Sequence, residues 1–283
     1  MSTAQAVRTR AGTRVRTVRE ERGLTVRALA AAVHVSPATV TAIEHGRTSI
    51  TVERLVALAE ALDVDPADLL DAPGAEPAHD DGTGETGRDW RTFEAMPLAP
   101  ALTGAARAFV TTGYHGATVR SIALAAGISP AGIYHHYASK HDLLRELMTL
   151  GMADLLWRVE AARDEATTPV QRVARIVEAT ALWHARRHEI AIIGASEMRS
   201  LDPAAHRAIV TFRRRVQTIL DDAVVAALPP EADQREALDA ARGIATMCTS
   251  IAQWFQPDGS MSADEIARQH SRFALRLLEL GPA

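Results

Sequence analysis

An all-α fold is predicted by three observations. Apolar residues recur at helical spacings through most of the 283-residue chain, no run alternates as a half-buried strand would, and proline, glycine or capping residues mark most of the breaks. The length and the 47% hydrophobic content suffice for a sizeable core, divided over roughly two or three domains.

From Val7 to Glu21 the pattern is amphipathic and stops at Gly23. Thr25 then caps a helix that turns Val26, Leu29, Ala30 and Val33 inward. Ser36 caps the next, with Pro37 at the first helical position, where a missing N–H costs nothing. Helices at Val52 to Leu62 and Pro66 to Leu70 complete a five-helix unit over residues 6–71. Residues 72–96, rich in Gly, Pro and acids, predict a flexible acidic linker. Its Gly82-x-Gly84-x-x-Gly87 matches the dinucleotide fingerprint in spacing only: no strand precedes it, and Asp80, Asp81 and Glu85 would repel a pyrophosphate. Helices follow at Ala99 to Thr112, Val119 to Ala126, Ser129 to Tyr137 and Ser139 to Trp157. Longer ones run at Pro169 to His188, Glu189 to Leu201, Pro203 to Leu228, Asp233 to Gln256 and Ser262 to Leu280.

The net charge of -4 hides an uneven distribution. Up to Arg54 there are nine arginines against Glu20, Glu21, Glu44 and Glu53, whereas Glu60 to Asp89 holds ten acids against Arg88. A basic N-terminal lobe can bind phosphate locally while the chain as a whole stays acidic. The only lysine is Lys140. No apolar run is long enough to span a membrane and MSTAQAVRTR lacks a signal-peptide core, so a cytoplasmic protein with no membrane partner is expected. A lone cysteine, Cys248, excludes an internal disulfide and a Cys-rich zinc site.

Two stretches carry the functional signal. HVSPATVTAIE, from His34, and GISPAGIYHHYASK, from Gly127, each follow an alanine-rich amphipathic run. In each, a small inner residue (Ala30, Ala123) meets a tight turn, an apolar residue (Val35, Ile128) and a Ser-capped helix with another apolar residue (Val40, Ile133). The small residue lets two helices cross closely and leaves the second helix's outer face free for a major groove, so both are helix-turn-helix units and the expected partner is double-stranded DNA.

The second stretch, within GAARAFVTTGYHGATVRSIALAAGISPAGIYHHYASKHDLLREL, resembles the DNA-binding domain of the tetracycline-repressor (TetR) family. The resemblance implies a three-helix head over 97–145 and a helical ligand-binding and dimerisation domain over 146–283. It implies that Thr118, Ser129, Tyr134, His136 and Lys140 hold phosphates, with Pro130, Ala131 and His135 toward the groove. The first unit is similar to the lambda-repressor/Cro-like (XRE) domain, departing from it at His34, where that family usually has glycine. Its implied phosphate contacts are Thr25, Arg27 and Arg47, with Ser36, Pro37, Ala38, Thr39 and Thr41 facing the groove. Neither second helix offers an outward Arg, Lys, Asn or Gln, and the chain has no Asn at all. Readout is then expected from thymine methyls, single hydrogen bonds and DNA shape, with selectivity restored by coupling several heads.

Apolar residues recur at spacings of four and three in the last two helices: Ala237, Ala241, Ile244, Cys248, Ile251 and Phe255, then Ile266, Phe273, Leu277 and Leu280 after a capping box at Ser262 and Glu265. The family resemblance implies a homodimer through Ala241, Ile244, Cys248, Phe255, Ile266, Phe273 and Leu277; an intramolecular seam is the alternative. A two-fold dimer would set paired heads on a palindromic operator. GASEMRSL and MCTSIAQWFQPDGSMSADEIA resemble a TetR-family subgroup that senses acyl-coenzyme A and related thioesters. This implies a small-molecule effector, with Trp183, His184, Ile193, Glu197, Met198, Phe212, Arg213, Met247, Ile251 and Trp254 at a pocket and arginines among Arg187, Arg199, Arg213 and Arg214 meeting phosphate.

His184 and His188, followed by Glu189, lie one helical turn apart, but no HExxH or CxxC pattern supports a metal site. No metal, cofactor or catalytic residue is expected. The expectation is a ligand-relieved repressor; its rivals are a helical metal or cofactor enzyme with localising heads, and a Cro-like domain that serves as a protein-interaction module.

Overall fold

A computed structural model describes residues 3–46, 48, 50, 52–64, 69 and 89–281, and all regular structure among them is helical. The chain divides into two compact units, Met1–Thr86 with Pro203–Thr211 and Gly87–Asp202 with Phe212–Ala283, each taken over its described residues.

The first unit contains α1 (Thr3–Glu21), α2 (Val26–Ala32), α3 (Pro37–Glu44) and α4 (Val52–Leu62). Local chemistry sets the boundaries. Thr25 Oγ1 accepts the Ala28 N–H at 3.1 Å and Ser36 Oγ accepts the Thr39 N–H at 3.1 Å, so both expected caps are formed. The α2 and α3 axes bend by 108°, inside the helix-turn-helix range, over buried Leu29, Ala30, Val40 and Ile43. His34 takes the left-handed turn position at φ 52°. A buried ion pair clamps the unit: Arg19 Nε and Nη2 donate to the two Glu44 oxygens at 2.6 and 3.1 Å, tying α1 to the last turn of α3. The fifth helix expected at 66–70 and the linker over 72–88 lie outside the described residues, apart from the buried Leu69.

The second unit runs through α5 (Pro100–Gly116), α6 (Val119–Ala126), α7 (Pro130–Tyr134), α8 (Lys140–Glu165), α9 (Pro169–Arg186) and α10 (His188–Ser196) to a 3-10 turn at Met198–Ser200. After α11 (Pro203–Ala227), of which Pro203–Thr211 groups with the first unit, it continues with α12 (Gln234–Thr249), α13 (Ile251–Trp254) and α14 (Ala263–Leu277). Helix α9 is central, with α8, α10, α12, α13 and α14 all packed against it. Buried Val173, Ile176, Val177 and Leu182 supply its apolar faces. At about 1.5–3 kcal/mol for each large aliphatic side chain buried, such a helix fixes its neighbours more firmly than any surface contact.

Two expectations about elements change. The single helix predicted from Asp233 to Gln256 breaks at Ser250, where Thr249 Oγ1 and Ser250 Oγ donate to the carbonyls of Thr246 and Met247 at 3.0 and 2.9 Å. Such side-chain bonds compete with helix continuation. The linker expected through residue 96 ends earlier, because Trp90 is 3% exposed and residues 89–96 belong to the second unit.

Candidate DNA-reading and effector sites

In the second head, caps and buried apolar residues fix the second helix of the motif. Thr118 Oγ1 accepts the Ser121 N–H at 3.0 Å while Ser121 Oγ accepts the Thr118 N–H at 2.9 Å, a reciprocal box at the start of α6. Gly127 takes φ 67° at its end, a turn position glycine occupies without strain. Ser129 Oγ accepts the Gly132 N–H at 3.1 Å, and Ile122, Ala123 and Ile133 are buried at the crossing. Thr118, Ser129, Pro130, Ala131, Tyr134, His135 and His136 are all left exposed, with the two histidine rings edge to face at 4.7 Å.

Lys140 is placed differently from the phosphate ligand expected. Its ammonium donates to the Tyr114 and Ala117 carbonyls at 2.7 and 2.8 Å, lies 3.5 Å from the His115 carbonyl, and sits 4.4 Å from the Tyr114 ring centroid. The cause is Gly113, whose φ 69° and ψ 165° kink α5 and turn several carbonyls toward one point. A compact ammonium with three donors suits that convergence.

In the first head Thr25, Arg27, Ser36, Pro37, Ala38 and Thr41 are exposed and Thr39 is half-buried. Thr39 Oγ1 shares a 2.8 Å hydrogen bond with Ser36 Oγ, and Thr41 Oγ1 donates to the Pro37 carbonyl at 3.0 Å. The Thr41 hydroxyl proton and one proton of the Ser36–Thr39 pair are thus engaged locally. Arg47 lies outside the described residues.

The expected pocket residues separate into groups. Trp183, His184, Ile193, Phe212 and Ile251 are buried core, Met198 and Met247 are half-buried, and Trp254 is 50% exposed. Burial pushes the His184 imidazole down to about 4, so it is neutral, with Nδ1 2.8 Å from the Thr180 carbonyl. Arg213 is exposed and its Nη2 donates to the Gly194 carbonyl at 2.7 Å. Glu197 belongs to the head's support: Oε1 accepts the Tyr114 N–H at 3.1 Å and Oε2 accepts the Ser200 hydroxyl at 2.9 Å. Nearby, the Asp202 N–H donates to His141 Nε2 at 3.0 Å. An open groove of about 410 Å³ lies between α10 and α13, lined by Ile192, Ala195, Ser196, Ala252 and Gln253. None of the predicted pocket residues lines it. Periodicity marks apolar positions without saying which face the core, and here Ile193 turns inward while its neighbour Ile192 lines the groove.

The predicted interface divides as well. Ala241, Ile244, Cys248, Phe255 and Ile266 are buried within the one chain, and α12 and α14 both lie against α9, so this part of the stripe is an intramolecular seam. Phe273 and Leu277 are 40% and 58% exposed, so this end of the stripe is left uncovered within the chain. Burial pushes the Cys248 thiol up to about 12. Among the described residues no group of three or more His, Cys, Asp or Glu side chains could hold a metal, and no single helix is long and apolar enough to cross a membrane.

A family model for bacterial regulatory proteins of the tetR family matches residues 101–147, one for tetracyclin repressor-like C-terminal domains matches 166–278, and a helix-turn-helix model matches 15–69. The chain is 27% identical over 177 residues to the HTH-type transcriptional repressor KstR2 of Mycolicibacterium smegmatis, covering 60% of this chain and 85% of that protein. It is similar to the TetR family regulator PfmR from Thermus thermophilus, with a TM-score of 0.57, 29% identity and coverage of 62% and 97%. A further solved relative is AibR in complex with isovaleryl coenzyme A and operator DNA, with a TM-score of 0.55, 26% identity and coverage of 61% and 95%.

Proposed function

The chain belongs to the TetR family of bacterial transcription regulators, and from that premise we propose that it is a dimeric, effector-relieved repressor with two DNA readers. The observation that carries the proposal is the repeated motif itself: α3 and α7 each leave a Ser-capped outer face exposed while Val40 and Ile133 are fully buried. Thr118, Ser129, Tyr134 and His136 in one head, and Thr25 and Arg27 in the other, then meet phosphates, and the faces around Pro130 and Pro37 enter the groove. Repression is supported by the likeness to KstR2, a transcriptional repressor.

The effector reading rests on the groove between α10 and α13 and on AibR, which is described with isovaleryl coenzyme A. At about 410 Å³ with an apolar wall, the groove suits a short acyl chain rather than a whole coenzyme, whose polar part would lie outside it. Dimerisation is assigned to the surface around Phe273 and Leu277, which burial within the chain leaves uncovered.

Salt-titrated binding to DNA from upstream of the protein's own coding region tests the two-reader reading. Arg27→Ala is expected to flatten the slope of log K against log salt by about one unit, and His136→Ala to weaken binding through the other head. If Arg27→Ala leaves both affinity and slope unchanged, the first unit does not read this DNA and is better described as a protein-interaction module. Added isovaleryl coenzyme A should lower affinity; no effect on affinity would remove the thioester class from consideration.

A further inference from the structure

Ahead of the second head, Asp89 to Glu94 form a strap across α8 and α9. The indole N–H of the buried Trp90 donates to Glu165 Oε2 at 2.5 Å, and Arg91 pairs with both oxygens of that carboxylate at 2.7 Å. The Arg91 guanidinium lies 3.8 Å from the Trp90 ring centroid. Arg91 first, with Trp90 beside it, holds the Glu165 carboxyl down at about 2, so this attachment is charged at any ordinary pH. The remainder of the strap is gripped by its backbone. Arg158, 1% exposed, donates from Nη1 to the Trp90 and Thr92 carbonyls at 2.5 and 3.1 Å, and Arg187 Nη1 donates to the Glu94 carbonyl at 2.8 Å. Both guanidinium groups lie over the Phe93 ring, at 3.5 and 5.2 Å from its centroid.

These two arginines share another partner. Asp154 Oδ2 receives Arg158 Nε at 3.3 Å, Arg187 Nε at 3.2 Å and the Trp183 indole N–H at 3.0 Å. One carboxylate on α8 therefore joins the last turn of α9, the junction between α9 and α10, and the strap. A buried network of this kind is costly to leave half-paired, so it favours discrete arrangements over gradual slippage. Helix α10 starts at that junction, carries the groove residues Ile192, Ala195 and Ser196, and leads into Glu197, which holds the head at Tyr114. The strap precedes the first residue matched by the TetR-family models and is continuous in sequence with the segment leading from the first helix-turn-helix unit.

We infer that the strap is a second output of the effector-binding domain. Through Asp154, its docking is coupled to the α9–α10 junction, so a movement of α10 is delivered to the strap as well as to the TetR-like head. A strap that merely covered α8 would have no such link. The coupling is a property of this fold and does not depend on which small molecule fills the groove.

Linkage requires the coupling to run both ways, and hydrogen–deuterium exchange on the full chain reads both directions. Trp183→Phe removes one Asp154 donor while keeping an apolar ring, and amides of 89–96 are expected to exchange at least tenfold faster, with α5 and α6 little changed. Trp90→Ala should in turn speed exchange at the junction, where the Arg187 and Ala191 amides donate to the carbonyls of Trp183 and Arg187. Should Trp90→Ala unfold the domain, Arg91→Ala loosens the strap from its exposed side and is read at the same amides. A freed strap with unchanged exchange at the junction, or a junction loosened by Trp183→Phe with an unchanged strap, overturns the inference.

Discussion

The two helix-turn-helix units share their local grammar and differ in what fastens them. In the first, the clamp is Arg19 on α1 with Glu44 on α3, both belonging to the same small unit as the motif. In the second, the corresponding tasks fall to Lys140, at the start of the long α8, and to Glu197, just past α10, which hold the kinked end of α5 from outside the motif. The first reader is therefore set by its own interactions. The second is set by elements that continue into the C-terminal helical body, so its placement can change when they move.

The largest effect that would sharpen this contrast comes from Arg19→Ala, which strands a buried Glu44 charge. It should cost about 3–5 kcal/mol in the first unit and nothing in the second, resolved as separate exchange protection of residues 11–46 and 100–137. Equal losses in both units would break the comparison. Acid should act on the other side. His184 is neutral in the folded protein with its pKa depressed to about 4, so between roughly pH 6.5 and pH 4 the unfolded chain binds the extra proton and the second unit loses stability as pH falls. The drop is bounded at about 3 kcal/mol, and His184→Leu should flatten the corresponding slope of melting temperature against pH.

Glu197→Ala comes next. It removes the acceptor of the Tyr114 N–H and is expected to lower DNA affinity about tenfold, or about 1.4 kcal/mol, with little change in melting, while Glu197→Gln keeps an acceptor and stays near the parent. Identical loss in both variants would assign the effect to charge. The smallest test exchanges the turn residues. Gly127→Ala should destabilise by about 1 kcal/mol, because alanine is strained at φ 67°, whereas His34→Gly should be nearly neutral, relief of strain at φ 52° being offset by the chain entropy of glycine. Both are read by thermal unfolding.

Much of this was legible in the sequence because capping is local. Thr25, Ser36, Thr118, Ser129 and Ser262 all accept the backbone N–H groups expected of caps, and they fix the helix starts. Tertiary partners were not legible. The stripe of Ala241, Ile244 and Cys248 announces an apolar face but not that α9 covers it. Arg19 and Arg158 look like any other arginine until the folded chain buries them against Glu44 and Asp154. Trp90 sits at the end of an acidic, glycine-rich stretch whose composition masks one anchoring aromatic. Glu197, expected in a pocket, acts across 83 residues of sequence on a backbone amide freed by a kink, a relation that no local spacing encodes.

Lys140 has one more consequence. Thirty of the chain's 31 basic side chains of the Lys and Arg types are arginine, so Lys140 carries the only side-chain amine, and three carbonyls surround it. An acylating reagent selective for amines, which spares guanidinium groups, therefore has a single side-chain amine to attack, and that amine is held while its three carbonyl contacts stay in place. The rate at which Lys140 is modified becomes an intrinsic clock for the opening of those contacts, with no label to introduce.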